Sequence, residues 1–266
     1  GQRRERRRRG ERAAKGLDER GIGHGEREPA LYDGGRSACP RLMLSLVIPT
    51  LDAASLLEET LAALAPERAG AELVIADGGS ADKTVAIGQA AGAKIVSAPR
   101  GRGPQLRAGA AAASGDWLLF LHTDTRLAPG WRNLVDRFTA VPGNAERAAF
   151  FRFVLDDADP RARRIERAVA WRNRALALPY GDQGLLIARA FYEALGGHPA
   201  IPLMEDVALA RRIGRPRLVR LDHAAITSAA RYRRDGWFAR PARNLALLTL
   251  YFLGASPRWL ARRYGR

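Results

Sequence analysis

Between Leu44 and Leu121 the chain alternates short, continuous apolar runs with stretches of helical periodicity, and few architectures accommodate that pattern. The runs are Leu44–Ile48 (ended by Pro49), Leu73–Ala76, Lys94–Val96 and Trp117–Leu121. Strands with no polar alternation are buried on both faces, which is the signature of a parallel sheet covered by helices. Leu56, Leu57, Leu61 and Leu64 supply a helical stripe between the first two runs. Ser80 is placed to cap a helix reaching about Ala91 and stopping at Gly92. Pro104 suits the first turn of a helix that extends to Ala113. The fold class predicted is Rossmann-like α/β, with a mostly parallel central sheet and helices on both faces. Ligands in such sheets bind beyond the carboxyl ends of the strands. Asp52, Asp77 and Asp124 each follow a predicted strand, so they are expected on one rim.

The second half is less regular. Ala148–Val154 and Gly184–Ala188 read as strands, Pro160–Leu176 and Met204–Ile213 as helices. Residues 1–42 are rich in Arg, Glu and Gly without apolar periodicity, and are expected to form a disordered basic tail. Residues 43–235 then form the folded α/β domain, and residues 236–266 an amphipathic helical segment. Hydrophobic residues make up 47% of the 266, enough for a real core.

A single cysteine, Cys39, excludes an internal disulfide framework and a cysteine-based zinc cluster. No apolar stretch is long enough to span a bilayer, and the basic N-terminal run leads into no apolar signal region. The location expected is the cytoplasm, with peripheral contact at the inner face of the membrane. The net charge of +16 includes clusters at Arg161–Arg167, Arg211–Arg220 and Arg231–Arg243. Such charge attracts nucleic acid, anionic lipid or phosphate-bearing substrates alike. No helix-turn-helix, RNA-binding signature or zinc module is visible, so no specific nucleic-acid partner is expected.

The chemistry-bearing segments are Leu44–Asp52 (LSLVIPTLD), Val74–Thr84 (VIADGGSADKT), Arg100–Ala110 (RGRGPQLRAGA), Trp117–Thr125 (WLLFLHTDT) and Met204–Ala210 (MEDVALA). In this order they resemble the motifs of the family-2 inverting glycosyltransferases, over roughly Leu44 to Leu221. Gly181-Asp182-Gln183, Leu195-Gly196-Gly197 and Pro202–Asp206 are similar to the bacterial radical-SAM/selenodomain-associated branch, sometimes labelled carotenoid-ester glycosyltransferases.

The resemblance implies a GT-A fold and transfer of a sugar from a nucleoside-diphosphate donor to an acceptor hydroxyl, which is lipid or carotenoid-like. It assigns the donor base and ribose to Pro49, Thr50, Asp52, Asp77 and Gly78; a turn-shaping role is the alternative for Asp77. Arg102 and Gln105, on a glycine-bearing helix start, become donor contacts. Asp124 is placed to hold Mn²⁺ or Mg²⁺ on the diphosphate. The family commonly has two acids here; this chain has His122 first, either as a second ligand or as loop packing. Asp206 is the expected base for the acceptor hydroxyl, with Glu205 next in line and a helix-dipole role as the alternative. Asp182 is assigned to the acceptor pocket, while His223 is the kind of lone histidine that is more often structural.

A nucleotidyltransferase of similar fold would carry a Gly-rich basic loop after the first strand; Pro49-Thr50-Leu51-Asp52 stands there instead. Leu245–Leu253 is apolar but about half a membrane span. With Arg240, Arg243, Arg258, Arg262 and Arg263 and nearby Trp237, Tyr251 and Trp259, it suits either an interfacial helix on an anionic membrane or a helix packed on the domain.

Overall fold

The computed structural model describes residues 42–264. The expected tail, apart from Leu42, lies outside the described residues. Eight strands form one sheet in the order β3-β2-β1-β4-β7-β6-β8-β5. The elements that set the fold's first half are β1 (Leu44–Thr50), α1 (Ala54–Leu64), β2 (Ala71–Asp77), α2 (Thr84–Ala90), β3 (Lys94–Ser97), α3 (Arg102–Ala112) and β4 (Trp117–Phe120). β3, β2, β1 and β4 are mutually parallel. The second half is mixed. β7 (Leu185–Ala188) pairs antiparallel with β4 and with β6 (Ala148–Leu155). β8 (Leu218–Thr227) runs parallel to β6, and β5 (Thr125–Leu127) closes the edge antiparallel to β8.

The sequence pattern accounts for this core directly. Leu46, Val47, Ile48, Val74, Ile75, Leu118 and Leu119 have no exposed surface, as continuous apolar strands require. Each such side chain contributes about 1.5–3 kcal/mol by leaving water. α3 lies close on this sheet: a Cβ at Gly109 would stand 2.5 Å from Val47 Cγ1, so only glycine fits there.

Two local expectations are corrected. β1 does not stop before Pro49 but continues through it to Thr50. Val47 O accepts from Leu121 N and Thr50 O from Gly78 N, so Pro49 faces the β4 side, where the strand pairing ends at Val47. Its missing N–H therefore breaks no ladder bond. Nor does Ser80 cap α2. The helix starts at Thr84, whose N–H donates to Asp82 at 2.9 Å, while the Ser80 hydroxyl turns back to Asp77 at 2.5 Å.

α4 (Trp131–Thr139) and α5 (Pro160–Leu176) follow the strands of the middle region. α5 matches its predicted bounds because Asp159 accepts from Arg161 N, Pro160 opens the helix and Ala177 leaves it with φ 53°. α6 (Arg189–Ala194), α7 (Glu205–Ile213), α8 (Ala230–Asp235), α9 (Ala239–Phe252) and α10 (Pro257–Tyr264) complete the chain. Leu247, Leu248 and Leu260 form a separate core with Leu178, Leu203, Met204 and Val207. The apolar run after Ala242 thus packs on α7 and the segment before it. No described helix is long and apolar enough to cross a membrane.

Candidate active site

The loop between β4 and β5 carries His122, Thr123 and Asp124, and three hydrogen bonds fix its path. Thr60 Oγ1 donates to Thr123 O at 2.8 Å, Thr125 N to His122 O at 3.2 Å, and Ser228 N to Asp124 O at 3.0 Å. The Asp124 carboxylate then opens on two adjoining, solvent-open cavities at the sheet's carboxyl rim, which with the solvent they admit enclose about 770 and 720 Å³ of empty space. Arg102, His122, Asp124 and Arg231 line both. Pro49, Thr50 and Gln105 belong to the smaller one; Asp182, Asp206 and Tyr180 belong to the larger.

Asp52, Asp77 and Gly78 sit on the same rim but line neither cavity. Asp77 spends its lone pairs within the protein. One oxygen accepts from Thr50 Oγ1 at 2.9 Å and Ser80 Oγ at 2.5 Å, the other from Gly79 N at 2.9 Å and Ser80 N at 2.8 Å. Burial raises its pKa, but these hydrogen bonds outweigh it and hold the carboxyl below the usual range. Asp52, at φ 46°, accepts from Ala81 N at 2.7 Å and donates its N–H to Ser80 Oγ at 2.9 Å. These two acids clamp the loops after β1 and β2 together. Any contact of Asp77 with a base requires one of its four bonds to yield.

Gln105 shows the same economy. Its amide nitrogen donates to Thr50 O at 2.5 Å and Ala76 O at 3.1 Å, tying α3 to the ends of β1 and β2. Its oxygen alone remains for a ligand. The glycine at the start of α3 also serves the fold: a Cβ on Gly103 would meet Pro199 O at 2.2 Å and Ile201 O at 2.5 Å. The close approach expected for a phosphate is here an approach of two backbone segments. Arg102, next to it, is the α3 side chain that lines both cavities.

Asp206 and Glu205 open α7 and diverge. Asp206 faces the larger cavity, one oxygen accepting from Gly181 N at 3.1 Å and the other from Val207 N at 2.7 Å. Glu205 is 1% exposed, and neither carboxyl oxygen has a hydrogen-bond partner. It lies against an inner pocket with His122 and His198. Burial first, then the Asp206 charge, pushes its pKa up to about 8. A neutral, enclosed acid is a poor base at neutral pH, which leaves Asp206 as the one available to a substrate. The backbone marks the spot too: Met204 has φ 67°, a left-handed conformation rare outside glycine.

Asp182 lines the larger cavity, with Oδ1 lacking a partner. Burial drives its carboxyl up to about 6, against the opposing Arg172 charge. Its turn is anchored by Gln183, which donates to Phe151 O at 3.0 Å and accepts from Arg172 at 3.1 Å and Asn173 at 3.0 Å. His122 Nε2 abuts Gly181, where a Cβ would stand 2.3 Å away. Burial, reinforced by Arg102, lowers the His122 pKa to about 3, so its imidazole is neutral, the form that binds metals. His223 lies inside β8, with Nε2 on Ala128 O at 2.8 Å, away from both cavities.

Sequence reasoning missed Arg231 on α8 and the α9 face formed by Arg240, Asn244 and Leu247, all of which line the larger cavity. Their spacing of four and three residues is a helical stripe, but nothing local distinguishes it from core packing.

Against known families, residues 45–174 match the model for glycosyl transferase family 2. The match spans just under half of the 266 residues. Among solved structures, a mannosyltransferase from Pyrobaculum calidifontis, in complex with GDP-Man and Mn²⁺, is 20% identical with a TM-score of 0.60. That similarity covers 82% of this chain and 66% of that one. Glucosyl-3-phosphoglycerate synthase from Mycobacterium tuberculosis, in complex with Mn²⁺, UDP and glucosyl-3-phosphoglycerate, is 20% identical over 75% of this chain and 77% of its own, with a TM-score of 0.52. These likenesses establish the GT-A fold that the family resemblance implied. No curated protein matches the chain.

Proposed function

We propose that the protein transfers a sugar from a nucleoside-diphosphate donor to an acceptor hydroxyl by single displacement, with inversion at the anomeric carbon. The observation that carries this reading is the placement of Asp124 and Asp206 on the walls of one cavity, with Arg102 and Arg231 between donor and acceptor sides. Thr50 and Pro49 wall the donor side, and Arg102 faces the diphosphate; Asp52, Asp77 and Gly78 order the loops behind them.

Asp206 is the base. Its two backbone hydrogen bonds aim the carboxylate and leave lone pairs for the acceptor hydroxyl. The acceptor oxygen attacks the anomeric carbon as its proton passes to Asp206, and the bond to the diphosphate oxygen breaks with its electron pair on the leaving group. Asp182 and the Arg240–Asn244–Leu247 face of α9 wall the acceptor side.

The donor set fits a divalent cation. Asp124 offers an oxygen that already attracts the Arg231 guanidinium at 3.5 Å, and His122 offers a neutral imidazole. Among the described residues no cluster of three His, Cys, Asp or Glu is arranged around a metal, so the diphosphate would supply the remaining ligands. One nitrogen and one oxygen favour Mn²⁺ over Mg²⁺. When bound, the cation would offset charge on the leaving diphosphate.

The branch-level resemblance supports a lipid or carotenoid-like acceptor. The C-terminal helices support it physically: Leu245, Leu253 and Trp259 are exposed, and the Arg263 guanidinium lies over the Trp259 ring. Exposed apolar and aromatic side chains with arginine beside them suit an anionic membrane surface. The test is release of nucleoside diphosphate from UDP-, GDP- and dTDP-sugars with Mn²⁺, in wild type and Asp124→Ala. Release from one donor, lost in the variant, is expected. Equal release by both proteins would refute the assignment.

A further inference from the structure

We propose that Arg231 is a donor-phosphate ligand held in reserve on Asp124: it balances that carboxylate until a divalent cation takes its place, and then turns to the diphosphate. This rests on the donor reading above.

The ion pair joins unequal partners. The Asp124 side chain is only 10% exposed, so its charge needs a counter-ion nearby. Arg231 is 41% exposed on the first turn of the short helix α8 and leaves at small cost, since half-exposed pairs at this distance contribute little. Its pivot stays local, because Ser228 N holds Asp124 O at the entrance to α8. Arg231 also lines both cavities, as Arg102 does from α3.

A guanidinium and a divalent cation repel each other at the same carboxylate oxygen. The diphosphate resolves the conflict by giving the displaced guanidinium an anion matched to its fork. Cation and donor then stabilise one another's binding through Arg231.

The signature is two affinities moving in opposite directions. Binding of Mn²⁺ alone is followed by electron paramagnetic resonance of the free ion, and binding of UDP and of GDP at saturating Mn²⁺ by calorimetry. The proteins compared are wild type, Arg231→Ala and Arg231→Lys, each checked by its melting temperature. In Arg231→Ala, Mn²⁺ alone is expected to bind about threefold tighter, since a competing cation is gone. The nucleotide that binds wild type is expected to bind about tenfold weaker, the loss of one charge-assisted contact. Arg231→Lys keeps the charge without the fork and falls between the two.

Unchanged Mn²⁺ affinity, or a parallel fall in both affinities, would overturn the proposal and leave Arg231 a structural ion pair. Wild-type protein that binds neither UDP nor GDP with Mn²⁺ would overturn the donor reading itself, and this proposal with it.

Discussion

The backbone N–H of Gly181 donates to the Asp206 carboxylate at 3.1 Å, joining the turn that carries Asp182 to the first turn of α7. Twenty-five residues apart in sequence, the two meet beside the cavity that Asp182 and Asp206 line. If Asp206 takes the acceptor proton, Asp206→Asn should lower kcat by about 10²–10⁴-fold while leaving the Kd for donor nearly unchanged. Steady-state rates beside calorimetric donor titration check this. Near-normal turnover in the variant would place the base elsewhere.

Gly181 is also the floor under His122. A methyl group there would stand 2.3 Å from Nε2 and 2.8 Å from Cε1, so the imidazole must move. Gly181→Ala is expected to cut kcat/KM about a hundredfold through misplaced groups. Gly143→Ala, with nothing within 4 Å of its Cβ, serves as the control. Activity retained in both variants would show that His122 position is immaterial.

Glu205 gives the folding equilibrium a pH slope of definite sign. Its folded pKa of about 8 lies above the ordinary 4.5, so the folded state keeps a proton that the unfolded chain releases. Its contribution to stability is present below 4.5 and is lost as pH rises towards 8. Glu205→Gln cannot ionise, and relative to wild type should gain about 1 kcal/mol or more between about pH 5 and about pH 8. Urea unfolding at both values measures it. A variant with the wild-type slope would show that Glu205 is not enclosed.

Much of this fold is legible in the sequence because burial on both faces leaves no polar alternation, as in Leu46–Ile48 and Leu118–Leu121. The rim position of Asp124 follows from a strand end in the same way, whereas Asp206 is singled out only by the family resemblance. What the sequence does not show is who satisfies whom. Asp52, Asp77 and Gln105 have residue types suited to a nucleotide, yet their polar atoms meet Ser80, Thr50 and strand-end carbonyls. Apart from the turn that Asp77 makes with Gly79 and Ser80, those are long-range partners without local pattern. Arg231 is hidden for the opposite reason: it is one arginine in a basic run, singled out only when β8 brings Ser228 beside Asp124.

The C-terminal helices bear on the membrane reading. Leu247, Leu248 and Leu260 are buried, so removing the segment would expose a core; surface substitutions are the sounder probe. Leu245→Ser, Leu253→Ser and Trp259→Ser combined should abolish co-sedimentation with anionic vesicles without a large fall in melting temperature. Wild-type protein is expected to bind anionic but not neutral vesicles, more weakly as salt rises. Wild type remaining in the supernatant at low salt would restrict these helices to packing.

The central claim is that this rim binds a nucleoside-diphosphate sugar with a divalent cation. Thermal unfolding with UDP-, GDP- and dTDP-sugars, each with and without Mn²⁺, tests it most directly. A ligand that binds only the folded state at a hundredfold excess over Kd adds about 2.7 kcal/mol, a rise of several degrees for a domain of this size. One donor should raise the melting temperature in the presence of Mn²⁺ and much less without it, and Asp124→Ala should lose the effect. No shift with any donor, or an equal shift in Asp124→Ala, would contradict the account.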